Sequence, residues 1–131
     1  MTKKIEKVLV LGASNNPERY SNKATKLLLQ FGHLPILVNP RFDNQFIEER
    51  KCYATIEKAT AEIGMGMIDT LTVYVNPQHS TSLSNSIISL APKRVIFNPG
   101  SENPDLQKKL LDKGIEVLEA CTLVMLNTEQ F

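Results

Sequence analysis

The chain has no tryptophan, only two cysteines and almost no net charge. Its 131 residues include 15 Lys and Arg against 14 Asp and Glu, which gives a formal net charge of +1. Proteins that bind nucleic acid or anionic membranes generally do so through a strongly positive surface. Neither nucleic acid nor a membrane surface is therefore expected as a partner, and any anion site must be local.

Long apolar runs and metal-binding patterns are also missing. No segment approaches the roughly 20 apolar residues that are needed to cross a bilayer. Cys52 and Cys121 form no CxxC pair and are too few for a disulfide framework, so neither a metal site nor a disulfide is expected. A reducing cytoplasm is the simplest location. With 42% apolar and 22% charged residues, the composition is typical of a single globular domain over residues 1–131.

Short apolar runs alternate with helical patterns along the chain. The runs are almost continuously apolar, as expected for strands that are covered on both faces, and they predict strands at Lys7–Leu11, Pro35–Asn39, Thr70–Val75, Arg94–Phe97 and Glu116–Glu119. Helical spacing predicts a helix at Ser21–Phe31, three more near residues 56–63, 83–91 and 106–111, and a last turn at 122–126. This alternation predicts an α/β fold in three layers, with a five-stranded, parallel, doubly wound sheet in the middle.

Ligands bind such sheets beyond the carboxyl ends of the strands. The first predicted strand runs into Gly12, Ala13 and Ser14, and a helix begins soon after. A helix start offers unpaired N–H groups and a positive dipole end, and a glycine lets an anion come close to the backbone. The segment has neither the GxGxxG fingerprint nor a Walker A pattern. It therefore predicts an anion-binding turn near the amides of Ala13 and Ser14, without identifying a nucleotide.

Asparagine followed by proline recurs at three of the five predicted strand ends, as Asn39-Pro40, Asn76-Pro77 and Asn98-Pro99. A residue before proline favours extended geometry, which is expected to turn the asparagine amide outward. A single Asn-Pro pair is common in ordinary loops. Three pairs along one edge of the sheet favour a binding rim.

The end of the second predicted strand indicates which nucleotide suits this rim. Sheets that bind NAD usually carry Asp or Glu there for the ribose hydroxyls. Here Arg41 follows Asn39 and Pro40, and no acid comes before Asp43. A guanidinium suits a ribose phosphate, which NADP carries at the 2′ position and coenzyme A (CoA) at the 3′ position. The alternative is a solvated loop arginine.

With these residues in view, the chain resembles the CoA-binding domain family. It is similar to the small stand-alone bacterial members related to the N-terminal domain of the succinyl-CoA synthetase alpha subunit. The matching segments cover nearly the whole chain and read LGAS, NPERYSNKATKLLLQFGH, VNPR, IDTLTVYVNP, RVIFNPGSENPDL and GIEVLEACTLVML. The resemblance implies a Rossmann-like fold and the binding of CoA or an acyl-CoA in the crevice.

Carried over by position, the resemblance implies that the ligand contacts are Gly12, Ala13, Ser14, Arg19, Tyr20, Ser21, Asn39, Pro40, Arg41, Tyr74, Val75, Asn76, Asn98, Pro99 and Gly100. Ser21 is also a candidate helix cap. Lys23 is expected to add positive charge beside Arg41. Cys121 lies in a segment that resembles the family's cysteine-bearing turn. It is expected either to meet the thiol end of CoA or to be an inert buried thiol.

No catalytic residue is expected. The resemblance implies that catalysis in succinyl-CoA synthetase needs a phosphorylated histidine from a second domain and a nucleotide-grasping partner subunit. This chain has neither. His33 is expected to cap a helix or lie at the surface, and His79 has no paired acid in the local sequence. The prediction is a non-catalytic CoA-binding or regulatory module. An NADP-dependent oxidoreductase using Tyr74 or His79, a CoA-binding subunit of an acyl-CoA synthetase-like complex, and a homodimer are open alternatives.

Overall fold

The apolar runs of the sequence lie at the centre of a seven-stranded sheet in the computed structural model, which describes residues 4–131. The strands are β1 (Lys7–Leu11), β2 (Leu34–Val38), β3 (Phe46–Ile47), β4 (Arg50–Tyr53), β5 (Thr70–Val73), β6 (Arg94–Phe97) and β7 (Glu116–Glu119). Their spatial order is β3-β4-β2-β1-β5-β6-β7. All neighbouring strands are parallel except β3 and β4, which form an antiparallel hairpin. The strand order reverses between β1 and β5.

The described residues also form six helices, which are α1 (Tyr20–Gln30), α2 (Ile56–Ile63), α3 (Pro77–Ser82), α4 (Ser84–Leu90), α5 (Pro104–Asp112) and α6 (Thr122–Asn127). The first five lie between strands, and α6 follows β7. Alternate residues of β1 face opposite sides of the sheet. Val8 and Val10 pack with Leu28 of α1 and Leu126 of α6. Leu9 and Leu11 pack on the other side, in a cluster with residues of α2, α4 and α5. The sheet is therefore covered on both faces, and the three-layer, Rossmann-like α/β prediction is confirmed.

The sheet is larger than the five strands predicted from sequence. The hairpin β3–β4 was missed because its strands are short, half of the residues from 46 to 53 are charged, and only Ile47 and Cys52 within it are buried. Cys52 is a fully buried core residue of β4, and burial raises the pKa of its thiol, which keeps the thiol protonated. β2 pairs with β1 on one side and with β4 on the other. The hairpin therefore extends the sheet on the β2 side.

Several boundaries also differ from the predictions. β2 runs from Leu34 to Val38, so Asn39 is not in the strand but caps a short 3₁₀ turn at Pro40–Phe42. β5 ends at Val73, which places Tyr74 and Val75 in the following loop. The helix predicted near residues 83–91 is α4, and a separate short helix, α3, precedes it and begins at proline after an asparagine cap. None of the helices in the described residues is both long and apolar enough to span a bilayer.

His33 is not the surface or capping residue expected from sequence. It is 7% exposed, and its Nδ1 accepts a hydrogen bond of 3.1 Å from the N–H of Glu6. Its ring packs against Phe131, with the two ring centroids 5.1 Å apart. His33 is therefore a core residue at the amino end of β2. Ligands of this class of fold bind at the other end of the strands.

The turn of the β3–β4 hairpin is strained. Its two central residues, Glu48 and Glu49, have φ angles of 51° and 65°. Two-residue hairpin turns with positive φ at both positions favour Asn-Gly. Replacing Glu48→Asn together with Glu49→Gly is expected to raise the free energy of unfolding by about 1 kcal/mol, measured by urea denaturation. The control is Glu48→Gln with Glu49→Gln, which removes the charges and keeps the strain; equal stabilities for the two variants would contradict this account.

Candidate functional site

The carboxyl ends of β1, β2, β4, β5 and β6 open into one cavity of about 1030 Å³. It lies where the strand order reverses, which is the usual ligand position in an open α/β sheet. Its volume is at the upper end of the range for small-molecule sites. The predicted site residues that line it are Gly12, Ser14, Arg19, Tyr20, Ser21, Asn39, Pro40, Arg41, Tyr74, Val75, Asn76, Asn98, Pro99 and Gly100.

Three other predicted site residues are not among the residues that line the cavity. Ala13 is fully buried beneath the first loop. Lys23 is exposed on α1, with its Nζ 5.6 Å from the centroid of the Tyr20 ring. Cys121 is half-buried at the residue before α6. A ligand in the cavity would meet Lys23 or Cys121 only if it extended past the cavity wall.

The start of α2 also lines the cavity, which was not predicted from the sequence. Ala54, Thr55, Ile56 and Glu57 all line the cavity. They reach it because β4 lies beside β2, so the helix that follows β4 begins at the same edge of the sheet. Thr55 caps this helix by accepting a 3.1 Å hydrogen bond from the N–H of Lys58. The threonine ahead of a helical pattern was a signal for the helix start, but its position depended on the unrecognised strand.

Hydrogen bonds fix the loop after β1. The N–H groups of Gly12 and Ala13 both donate to the carbonyl oxygen of Val38, at 2.9 and 3.2 Å. The Nδ2 of Asn39 donates to the Ala13 carbonyl oxygen at 2.8 Å, and the Nδ2 of Asn22 donates to the carbonyl oxygen of Ser14 at 2.8 Å. The amide of Ala13 is thus not free for an anion, contrary to the sequence-based expectation.

The free amides of the first loop come one position later. Within residues 4–131 the backbone N–H groups of Ser14 and Asn15 make no hydrogen bond. Ser14 lies in the lining of the cavity, as does Asn15. Unpaired amides ahead of a helix start are suited to an anion. The unbonded amides of this turn are therefore those of Ser14 and Asn15 rather than those of Ala13 and Ser14.

The asparagine side chains of the three Asn-Pro pairs make hydrogen bonds within the protein. Asn98 is 2% exposed, and its Nδ2 donates to Thr72 Oγ1 at 2.7 Å and to the carbonyl oxygen of Val73 at 2.9 Å. Its Oδ1 accepts a 2.9 Å hydrogen bond from the N–H of Thr122. Asn76 caps α3, with Oδ1 accepting from the N–H of His79 at 2.8 Å. Asn39 and Asn76 have the predicted extended geometry, but the side chains of Asn39 and Asn98 bond to other groups of the protein.

Two positively charged side chains line the cavity. Arg19 and Arg41 are exposed, line the cavity, and form no ion pair with any residue from 4 to 131. The guanidinium carbon of Arg41 lies 5.8 Å from the centroid of the Phe42 ring. Two acids, Glu18 and Glu57, also line the cavity. An anionic ligand would therefore find two guanidinium groups that no carboxylate of the described chain already occupies.

Tyr74 lines the cavity with part of its side chain, while its hydroxyl oxygen is buried. Burial raises the pKa of Tyr74 to about 12. A group that transfers protons works best when its pKa lies near the working pH. Tyr74 is therefore poorly suited to be the proton donor of an oxidoreductase.

The raised pKa makes Tyr74 a probe of stability at alkaline pH. The tyrosine loses its proton near pH 10 in the unfolded chain and near pH 12 in the folded one. Its contribution is fully present below pH 10 and is lost as the pH rises towards 12. The free energy of unfolding should fall by roughly 2–3 kcal/mol over this window. In an absorbance titration of tyrosinate, Tyr74→Phe should lack the step at highest pH; a variant that keeps this step would contradict the assignment.

The sequence and the fold are similar to those of known proteins. The sequence profile of the CoA binding domain family matches residues 6–127. A crystal structure of an uncharacterized protein is 37% identical, with a TM-score of 0.88 over 98% of this chain and 100% of that chain. A hypothetical protein from Pyrococcus horikoshii OT3 is 26% identical, with a TM-score of 0.75 over 89% of this chain and 77% of that chain.

A protein from Thermus thermophilus is 24% identical, with a TM-score of 0.82 over 97% of this chain and 91% of that chain, and this likeness shows the fold alone. No curated protein matches the sequence. The family profile spans nearly all of the described residues, and the 37% identical structure shares the fold from end to end. The chain therefore belongs to the CoA binding domain family.

Proposed function

We propose that this protein binds CoA or an acyl-CoA in the cavity at the strand ends and acts as a non-catalytic binding or regulatory module. Membership of the CoA binding domain family supports the ligand class. The observation that carries the proposal is Arg41, an unpaired guanidinium at the end of β2, where an NAD-binding sheet would carry an acid. Its fork suits the 3′-phosphate of CoA.

We assign the other groups of the ligand to residues that line the cavity. The pyrophosphate would bind the free amides of Ser14 and Asn15, with Arg19 near the start of α1. Lys23 would add positive charge near the cavity mouth. CoA carries about four negative charges, given a second phosphate pKa near 6. Exposed charge pairs are screened by salt, so the affinity is expected to fall as the ionic strength rises.

The remaining proposed contacts lie on the other side of the cavity. Tyr74, Val75 and Asn76 follow β5, and Asn98, Pro99 and Gly100 follow β6. The backbone and apolar groups of these two loops would flank the pantetheine arm. Cys121 would meet the thiol of CoA only past the cavity wall. We assign no chemical step, because His79 has no acid partner within residues 4–131 and burial raises the pKa of Tyr74 to about 12.

The alternatives differ in their ligands and partners. An NADP-dependent oxidoreductase would use Arg41 for the 2′-phosphate and would need a proton donor. A CoA-binding subunit would present the same ligand to a partner that carries the catalytic groups, and a homodimer would join two such modules. A cytoplasmic location, expected from the two free cysteines, belongs to the same proposal.

The test is a thermal-shift series with CoA, acetyl-CoA, dephospho-CoA, NADP and NAD. A ligand at about 100 times its Kd stabilises the folded state by about 2.7 kcal/mol, so binding is visible as a higher melting temperature. We expect CoA and acetyl-CoA to give the largest shifts and dephospho-CoA a smaller one. Stabilisation by NADP but not by CoA would overturn the proposal and favour the oxidoreductase. Copurification of a nucleotide-grasping subunit with the intact protein would favour the subunit alternative.

A further inference from the structure

Asn103 joins two helices beside the cavity without lining it. It is 4% exposed and precedes α5. Its Nδ2 is within hydrogen-bond distance of three acceptors on α3, which are the carbonyl oxygen of Pro77 at 3.1 Å, Ser80 Oγ at 2.8 Å and Thr81 Oγ1 at 3.0 Å. Its Oδ1 accepts a 3.2 Å hydrogen bond from the N–H of Leu106 and so caps α5. One buried amide therefore serves both helices.

The helix that Asn103 holds is a wall of the cavity. Asn76, which caps α3, and His79, which lies within it, both line the cavity, as does Leu83 at its end. α3 has only six residues. Isolated helices of fewer than about 12 residues are marginal in water, so α3 depends on contacts from outside itself. Its Ser80 is fully buried and bonded to Asn103, which makes this contact the anchor of the wall.

We propose that Asn103 is a positioning residue for the ligand site, which holds α3 against α5 so that the cavity wall is preformed before CoA binds. The inference rests on the proposed function for the identity of the ligand. A preformed wall lowers the ordering entropy that binding must overcome, and this raises the affinity without any contact to the ligand. α3 follows β5 and forms the wall on that side of the cavity, whereas Arg41 lies on the β2 side.

Asn103→Ser separates the two roles of the side chain. Serine is as good a helix cap as asparagine, so α5 keeps its cap. The shorter side chain has no amide to reach α3. The matched control is Gln107→Ala. Gln107 accepts a 2.8 Å hydrogen bond from the backbone N–H of Asn103 and donates to Glu119 at 2.9 Å, but it makes no hydrogen bond to α3.

The first measurement is hydrogen exchange of the ligand-free protein. In Asn103→Ser the amides of Ser80 and Leu83 should exchange roughly tenfold faster, because α3 opens locally. The amides of α5 should exchange as before, and Gln107→Ala should leave α3 unchanged. Unchanged exchange of α3 in Asn103→Ser would overturn the proposal, whether or not the protein binds CoA.

The second measurement is the affinity of the same variants for CoA and dephospho-CoA. Asn103→Ser should weaken both ligands by the same factor, roughly three- to tenfold, and should lower the melting temperature of the free protein, because buried hydrogen bonds are lost. A faster-exchanging α3 with unaltered affinity would overturn the positioning role. If the unaltered protein bound no CoA, the proposed function would fail, and the exchange data alone would still decide whether Asn103 holds α3. If Asn103→Ser did not fold, Ser80→Ala, which removes one acceptor from the α3 side, would test the same contact.

Discussion

Arg41→Ala is expected to weaken CoA binding by roughly 10- to 150-fold, the range that corresponds to one hydrogen bond with a charged group of about 1.5–3 kcal/mol. The guanidinium lines the cavity and forms no ion pair with a described residue, so nothing in the folded protein competes with a phosphate for it. Isothermal titration calorimetry at fixed ionic strength measures the change. The melting temperature of the ligand-free protein should not change, because the Arg41 side chain is exposed and forms no ion pair with a described residue.

The comparison with dephospho-CoA makes this prediction specific. That compound lacks the 3′-phosphate, so Arg41→Ala should reduce its affinity far less than that of CoA. The matched control is Lys26→Ala, which removes a cation of α1 that is not among the residues lining the cavity. It should alter the affinity for CoA less than twofold, the scale of an exposed and screened charge. An equal loss of affinity for both ligands in Arg41→Ala would remove the phosphate assignment.

Gly12→Ala is expected to lower the free energy of unfolding by about 2–4 kcal/mol. Gly12 has a φ of +94°, which a residue with a side chain adopts only with strain. An added Cβ would also lie 3.0 Å from Val75 Cγ1 and 3.2 Å from the carbonyl carbon and oxygen of Tyr74. The first loop would have to move away from the loop after β5. Because both loops line the cavity, the variant should also bind CoA more weakly.

Gly114→Ala is the matched control for this experiment. Gly114 has a φ of +78°, but no atom would lie within 4 Å of an added Cβ. It should therefore show the conformational strain alone, about 1 kcal/mol, and no change in CoA affinity. Urea denaturation of the two variants measures the difference. Equal destabilisation of Gly12→Ala and Gly114→Ala would show that the close packing of the two loops is unimportant.

Most strands were predictable, including the edge strand β7, because each has a hydrophobic pattern of its own. β1, β6 and β7 have the predicted boundaries, since each is a run of apolar or alternating residues next to a clear helical segment. The hairpin β3–β4 lies at one edge of the sheet, and its two strands have only two and four residues, too few to show a clear hydrophobic pattern. Its burial of Ile47 and Cys52 depends on the pairing of β4 with β2, a contact between distant parts of the chain. No local pattern contains that information.

The candidate site shows the same division. The residues at the strand ends were identified because parallel strands bring their carboxyl ends to one edge. The direction of individual side chains was not predictable. Asn39 has the expected extended backbone, yet its amide bonds to the carbonyl oxygen of Ala13, and the amide of Asn98 bonds to Thr72 Oγ1. The role of Asn103 is likewise invisible in sequence, because its partners on α3 lie more than 20 residues away in the chain.

The most direct test of the central claim is a crystal structure of the protein grown with CoA. The account predicts that the 3′-phosphate lies against the guanidinium of Arg41 and that the pyrophosphate lies against the amides of Ser14 and Asn15. It also predicts that α3 keeps its hydrogen bonds to Asn103 in the complex. Electron density for CoA elsewhere on the surface, or an empty cavity at saturating CoA, would contradict it.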